Sequence, residues 1–169
     1  MNTLPYVTTA RLYIQPLTTA DNHFIFELVN TEGWIQFIGN RNVASAMQAT
    51  AYIQKILEME QVTYWVVKLK NTQQAIGIVT YIKRDYLQHP DIGFAFLPRY
   101  CKKGYAYEAT NAILYQLIRE HSLPHILAIT LPQNKASIKL LQRLGLTFEK
   151  EMEVENEMLH IYGVSTEKR

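Results

Sequence analysis

The stretch Asp91-Ile92-Gly93-Phe94-Ala95-Phe96-Leu97-Pro98-Arg99-Tyr100-Cys101-Lys102-Lys103-Gly104-Tyr105-Ala106 joins a strand-like run, a basic loop and a glycine at which helical spacing begins. The start of a helix leaves backbone N–H groups without partners and carries the positive end of the helix dipole, which together attract an anion. Gly104 lets the backbone approach such an anion closely, and Ala106 keeps the first turn uncrowded. Lys102 and Lys103 add two positive charges beside it. A pyrophosphate is the natural ligand of this cradle. Lysines at a helix start oppose the dipole preference, which favours a bound anion; the competing reading is a solvated lysine pair beside an ordinary loop glycine. The Gly-Lys-Ser/Thr order of a P-loop and the triple glycine of a dinucleotide fingerprint are both missing.

Other chemistries find no constellation. Five histidines (His23, His89, His121, His125, His160) include one four-residue spacing, His121 to His125, but Pro124 inside it ends a helix, so no metal pair is expected. No Gly-x-Ser-x-Gly elbow is present. Cys101, the single cysteine, excludes a disulfide framework and a Cys-cluster metal site, and it lacks the partner signature of a thiol nucleophile. It reads as a small loop residue. The eleven tyrosines show no basic–aromatic interleaving suited to nucleic acid, and a net charge of +2 supplies no strong field.

The elements that must hold the basic loop follow from periodicity. Leu12, Ile14 and Leu17 mark a first strand, and Thr18 to Asp21 offer N-cap chemistry for a helix carrying Phe24, Ile25, Leu28 and Val29. Residues 33–38 read as a shorter helix and residues 46–60 as an amphipathic one. Strands are predicted over 62–69, 75–82 and 91–97, with Pro98 stopping the third because it brings no amide to the ladder. A helix over 104–120, a strand over 125–131, a helix over 134–144 and a terminal hairpin over 146–154 and 158–164 complete the order. The β–α–β unit from Asp91 to Leu131 should be parallel and right-handed, with antiparallel neighbours on either side. The fold class expected is therefore α+β (mixed α/β), a mixed, mostly antiparallel sheet of six to seven strands with helices on both faces. At 169 residues and 48% hydrophobic content, one compact domain spanning residues 8–166 is expected. No apolar run approaches the ~18 residues of a membrane span. Met1-Asn2-Thr3-Leu4-Pro5 lacks the basic start and apolar stretch of an export signal, so a cytoplasmic location is expected, with no membrane and no nucleic-acid partner.

A second segment, Asn134-Lys135-Ala136-Ser137-Ile138-Lys139-Leu140-Leu141-Gln142-Arg143-Leu144-Gly145-Leu146-Thr147-Phe148-Glu149, follows the next strand. Together the two segments resemble the GNAT N-acetyltransferase superfamily. The first resembles its acetyl-CoA pyrophosphate motif, Gln/Arg-x-x-Gly-x-Gly/Ala, at Cys101, Gly104 and Ala106. The second resembles its Asn-x-x-Ser/Ala helix ending in Leu-Gly-Phe. Thr9-Ala10-Arg11-Leu12-Tyr13-Ile14-Gln15-Pro16-Leu17 with Asp21 is similar to the ribosomal-protein Ala/Ser acetyltransferase (RimJ/RimL-type) branch. Two departures stand out. Cys101 replaces the usual Gln or Arg, with Lys102 where that branch often has glycine; and Leu141 stands where many members carry a tyrosine general acid.

The resemblance implies a GNAT-like sheet with a central acetyl-CoA unit, no metal, and transfer of acetyl from acetyl-CoA to a primary amine by direct attack in a ternary complex. The acceptor is either a protein N-terminal α-amine or a small-molecule amine, and a homodimer is plausible on the same ground. Phe94, Ala95 and Phe96 are expected to bond the pantetheine arm as a pseudo-strand. Cys101, Lys102, Lys103, Gly104, Tyr105 and Ala106 would hold the pyrophosphate, and Asn134 the pantetheine. An amide of the Gly93–Leu97 strand would serve the developing oxyanion. Ser137 is either the proton donor to the leaving thiol or a plain first-turn hydrogen-bonding residue. Asp91 is either the base or a satisfied strand-edge carboxylate. Glu32 and Trp34 fall where the superfamily binds acceptors, Trp34 being either such a contact or core or lid packing, with Glu157 and Tyr162 on the hairpin as further candidates. The alternative is a non-catalytic CoA-binding or regulatory module of the same fold, which the missing tyrosine at Leu141 supports.

Overall fold

Alternating apolar residues in the middle of the chain build the sheet, and the polar turns between them set its register. In a computed structural model, which describes residues 6–121 and 123–168, the elements run β1 (Val7–Thr8), β2 (Leu12–Pro16), α1 (Asn22–Val29), α2 (Glu32–Phe37), α3 (Ala46–Glu58), β3 (Val62–Leu69) and β4 (Ala75–Ile82). They continue through β5 (Asp91–Phe96), α4 (Tyr105–His121), β6 (His125–Thr130), α5 (Lys135–Arg143), β7 (Thr147–Val154) and β8 (Glu157–Ser165). The opening pentapeptide read above lies outside the described residues. Among those described, no helix is long and apolar enough to cross a membrane.

The helix starts are written locally. Thr31 Oγ1 accepts from the Trp34 amide at 3.3 Å, Ser45 Oγ from Gln48 at 3.1 Å, and Asn134 Oδ1 from Ser137 at 3.2 Å. Each satisfies one of the orphan donors of its helix. The last hairpin turns at Glu155 and Asn156, both with positive φ (51° and 65°), the pairing whose twist suits a tight connection between antiparallel strands.

The eight strands lie in the order β1-β2-β3-β4-β5-β6-β8-β7, one more than the upper count expected from periodicity. The addition is β1, only two residues long, paired to β2 at Val7↔Ile14 and Thr8↔Tyr13. β8 sits between β6 and β7, so the chain's last strand lies inside the sheet and β7 forms its edge. Among the described strands only β5 and β6 run parallel.

Side-chain alternation divides the core in two. Trp65 and Val67 on β3 face a cluster with Ala109, Ile113, Leu114 and Leu117 of α4 and Leu141 of α5. Val66 between them faces Ile25 and Leu28 of α1, Trp34 of α2 and Ile53 of α3. Helices thus cover both faces: α1 to α3 on one, α4 and α5 on the other. Full burial of each large aliphatic side chain contributes roughly 1.5–3 kcal/mol, so the two clusters clamp the sheet at its centre.

Candidate functional site

The site begins where β5 and β6 part. Their pairing has a single register pair, Asp91↔Leu127, with the Leu127 amide donating to the Pro90 carbonyl at 2.9 Å. On the other side β5 is fully paired with β4, from Ile82↔Asp91 to Gly77↔Phe96, and the Leu97 amide donates to Ile76 at 2.9 Å. Antiparallel alternation then turns the backbone groups of Gly93, Ala95 and Leu97 towards β4 and those of Phe94 and Phe96 towards the opening beside β6. Of the three residues expected to bond a pantetheine arm, Ala95 is therefore excluded. Its backbone is engaged by β4, while the Phe94 and Phe96 amides face the opening unpaired and the Phe96 carbonyl lies 4.0 Å from Cys101 Sγ.

The Phe96 ring lies over Gly77, where an added Cβ would sit 2.4 Å from a ring carbon. Glycine at 77 is what lets the β5 edge keep this position.

The loop beyond β5 makes one 3₁₀ turn at Pro98–Tyr100 and then curls into α4. Lys102 (φ 60°) and Gly104 (φ 83°) both adopt left-handed backbone, a conformation that glycine enters freely and lysine does not. Among the described residues, the amides of Lys102, Lys103, Gly104, Tyr105, Ala106 and Tyr107 donate to no acceptor in the chain. The Glu108 amide is the first to find one, the Gly104 carbonyl at 3.0 Å. Lys102, Lys103 and Gly104 are exposed. Free amides, a dipole end and two lysines without acidic partners among the described residues fit a diphosphate. Cys101 is also exposed, and its sulfur lies 3.6 Å from the Leu97 carbonyl. Burial pushes its thiol up against the pull of Lys102, the opposite of an activated nucleophile.

A residue that sequence reasoning did not assign to the site completes the cradle. Arg11, at the head of β2, donates from Nη1 to the Lys103 carbonyl at 3.0 Å, and its guanidinium carbon lies 4.2 Å from the centre of the Tyr105 ring. A Cβ on Gly104 would stand 3.2 Å from Arg11 Nη2. Arg11 Nε also pairs with Glu108 Oε2 at 2.7 Å, and Thr9 Oγ1 donates to Glu108 Oε1 at 2.6 Å. Partial burial raises the Glu108 carboxyl, but the bonds from Thr9 and from the Arg11 backbone and side chain, with the guanidinium charge, hold it below the ordinary carboxylate range. The Arg11 signal lay in the opening motif; its partner is 97 residues away.

Across the opening, Asn134 caps α5 with Oδ1, leaving its Nδ2 as a donor. The Ser137 hydroxyl, half-buried on the first turn, has no partner among the described residues. Leu141 is 1% exposed within the α4–α5 core, so its position is a packing site rather than a vacancy facing the opening.

The remaining candidates separate. Asp91 is 3% exposed, at the closed end of the parted strands, with Oδ2 held by Arg84 Nε at 2.7 Å. Burial pushes its carboxyl up, and Arg84 pulls it back only in part. At ~3.3 Å per residue it lies about 10 Å along β5 from Phe94, so the geometry favours the strand-edge role over that of a base. Trp34, expected at an acceptor site, is 4% exposed and belongs to the core beneath α1 and α3. Glu32 is exposed on the first turn of α2, where a carboxylate complements the dipole. Glu157 is exposed at the start of β8, and Tyr162 is buried edge-on against Phe148, with ring centres 5.8 Å apart. His125 opens β6 and pairs with Glu149.

Residues 11–147 match the family described as the acetyltransferase (GNAT) domain. The chain is 28% identical over 144 residues to "Uncharacterized N-acetyltransferase YnaD" of Bacillus subtilis, covering 85% of this chain and 84% of that protein. A GNAT-family acetyltransferase from Bacillus anthracis superposes with a TM-score of 0.81 at 23% identity, over 96% of this chain and 99% of that one. The ribosomal L7/L12 α-N-protein acetyltransferase RimL, solved with coenzyme A, gives 0.80 at 14% identity, over 95% and 97%.

Proposed function

The chain belongs to the acetyltransferase (GNAT) domain family, and from that premise we propose that it is an N-acetyltransferase that binds acetyl-CoA between the parted strands and the head of α4 and acetylates a primary amine. One observation carries this reading. The amides without partners from Lys102 to Tyr107 lead onto the unpaired amides of Phe94 and Phe96, so a diphosphate and an extended amide-bearing arm find their partners along one path.

Acetyl-CoA supplies an activated thioester to a neutral amine, and the thiol departs. The chain's own groups then divide the work. Lys102 to Ala106 hold the diphosphate, and Asn134 Nδ2 fixes the arm. The amide of Phe94 or Phe96 is the oxyanion donor, because the other amides of the Gly93–Leu97 stretch face β4. The Ser137 hydroxyl donates a proton on the thiol side, where an ordinary thiol pKa of roughly 8.5 makes protonation useful. With Asp91 held by Arg84, water takes the proton of the acceptor ammonium.

The acceptor is a protein N-terminal α-amine or a small-molecule amine. The opening Thr9–Leu17 motif supports a RimJ/RimL-type enzyme, and the solved neighbour named RimL is an α-N-protein acetyltransferase. One observation favours a second reading, a CoA-binding module without turnover: Leu141 is core where many members carry an acid. Release of free thiol from acetyl-CoA, followed with a panel of peptides and small amines, separates the two. Acceptor-stimulated release supports the enzyme, and tight CoA binding with no stimulation by any amine supports the module.

A further inference from the structure

The sheet face beneath α1 to α3 carries a buried hydroxyl that the chemistry above leaves unused. Thr80 on β4 is 9% exposed, and its hydroxyl has no partner among the described residues. An unpaired hydroxyl at that depth is a cost that a ligand can offset. In the register Thr80 stands between Tyr64 of β3 and Gly93 of β5. Ile78, earlier on β4, packs with Tyr64, Val66 and Ala95 in the cluster under α1 to α3, so strand alternation puts Thr80 on that face too.

Gly93 shows where the hydroxyl lies. A Cβ at Gly93 would sit 2.6 Å from Thr80 Oγ1, so the hydroxyl occupies the space over β5 that a side chain would fill. Gly93 lies just past Asp91, whose pairing with Leu127 is the single register pair before β6 departs, and the next amide, that of Phe94, faces the opening. Thr80 Oγ1 thus stands at the rim of the opening, on the face away from α4 and α5. The cluster under α1 to α3 takes in no described residue of β6, β7 or β8, which leaves a way in beside Gly93 from this face. Other polar groups here are committed. Asp91 is held by Arg84 at 2.7 Å. Burial pushes the Tyr64 phenol up, and the neighbouring Tyr52 adds to this against the pull of Arg41 and Arg84, so it stays protonated.

We propose that Thr80 Oγ1 receives the attacking amine: it accepts a hydrogen bond from one N–H of the neutral acceptor and so aims the nitrogen lone pair at the acetyl carbon beside the Phe94 amide. The inference rests on the acetyl-CoA reading above and adds to it the side of attack. Nitrogen bonds to the acetyl carbonyl carbon and the carbon–sulfur bond breaks; the surplus proton on nitrogen passes to water, and the sulfur takes one from Ser137. Ser137 belongs to α5, across the sheet from Thr80, so the amine enters from one face and the thiol leaves towards the other. Holding a nucleophile in line with its target is where one hydrogen bond counts in the rate.

The test is thiol release from acetyl-CoA, with the best acceptor of the peptide and small-amine panel, by the unaltered protein, Thr80→Val and Thr80→Ser. Thermal unfolding and calorimetric binding of CoA accompany it. Valine keeps the shape and drops the hydroxyl. It should lower kcat/KM for the acceptor about ten-fold while CoA affinity stays unchanged, and Tm should hold or rise because a buried unpaired hydroxyl is gone. Serine keeps the hydroxyl and should recover most of the rate. Full activity in Thr80→Val, a serine variant no faster than the valine one, or a rate that falls only in step with Tm or CoA affinity would overturn the Thr80 assignment alone. An unaltered protein that binds no CoA, or that no amine stimulates, would overturn the acetyltransferase reading and this inference with it.

Discussion

Arg11 and Glu108 clip the first long strand to the first turn of α4: Arg11 Nε reaches Glu108 Oε2 at 2.7 Å, and the Arg11 amide donates to Oε1 at 2.9 Å. The same guanidinium bonds the Lys103 carbonyl, so the clip also fixes the loop that curls into the helix. Fold stability and the shape of the anion cradle are thereby tied to one contact.

Glu108→Gln should lower stability at neutral pH by about 1 kcal/mol, a figure already reduced for the exposure of Arg11. For a chain of this size that is a fall of roughly 2–4 °C in Tm. Because the folded carboxyl sits below its ordinary value of 4.5, its contribution is complete above that pH and disappears as pH falls through the folded pKa. Thermal unfolding of both proteins from pH 7 to pH 3 should therefore show the gap closing in acid. A gap that stays constant with pH would mean the carboxylate charge is not its source.

Lys102 holds a left-handed backbone that costs a side-chain-bearing residue about 1–2 kcal/mol. Lys102→Gly and Lys102→Ala both remove the charge, but only glycine removes the strain. Urea unfolding should place Lys102→Gly above Lys102→Ala by about 1 kcal/mol, with CoA affinity weakened alike in the two. Equal urea midpoints would show that the loop relaxes around alanine.

Much of this architecture is legible in the sequence, and the exceptions share a cause. The ranges 62–69 and 75–82 match β3 and β4 residue for residue, because alternation and a polar turn are local signals. β1 escapes notice because two residues carry no period, and only pairing with β2 defines it. The Arg11–Glu108 clip joins residues 97 positions apart, and no local pattern announces it. The place of Trp34 between the early helices suits an acceptor contact and core packing alike, and burial against α1 and α3 decides for the core. Basic loop and glycine were visible as residue types, but the exclusion of Ala95 needs the β4–β5 register.

Leu141→Tyr, which writes the general acid of many relatives back into α5, should not create one. Leu141 is fully packed between α5 and the sheet, and a larger side chain there overpacks the core at a cost of typically 1–3 kcal/mol. Chemical denaturation should record that loss, with no gain in acetyl transfer. A stable variant with faster turnover would contradict the packing assignment.

Ser137→Ala removes a hydroxyl without a partner among the described residues while keeping the Asn134 cap, which uses the Ser137 backbone. Stability and CoA affinity should stay nearly unchanged, and kcat should fall about ten-fold or more. The deficit should widen with acceptors whose addition leaves thiol departure slow. Unchanged kcat would reduce Ser137 to a first-turn residue of the helix.

The central claim is that acetyl-CoA lies along the parted edge of β5 with its diphosphate on the head of α4. A crystal structure of the protein with CoA tests it most directly. The account predicts diphosphate oxygens within hydrogen-bond distance of amides between Lys102 and Tyr107, and pantetheine amides bonded to Phe94 and Phe96. A diphosphate bound elsewhere, or a pantetheine arm that leaves the Phe94 and Phe96 edge bare, would contradict it.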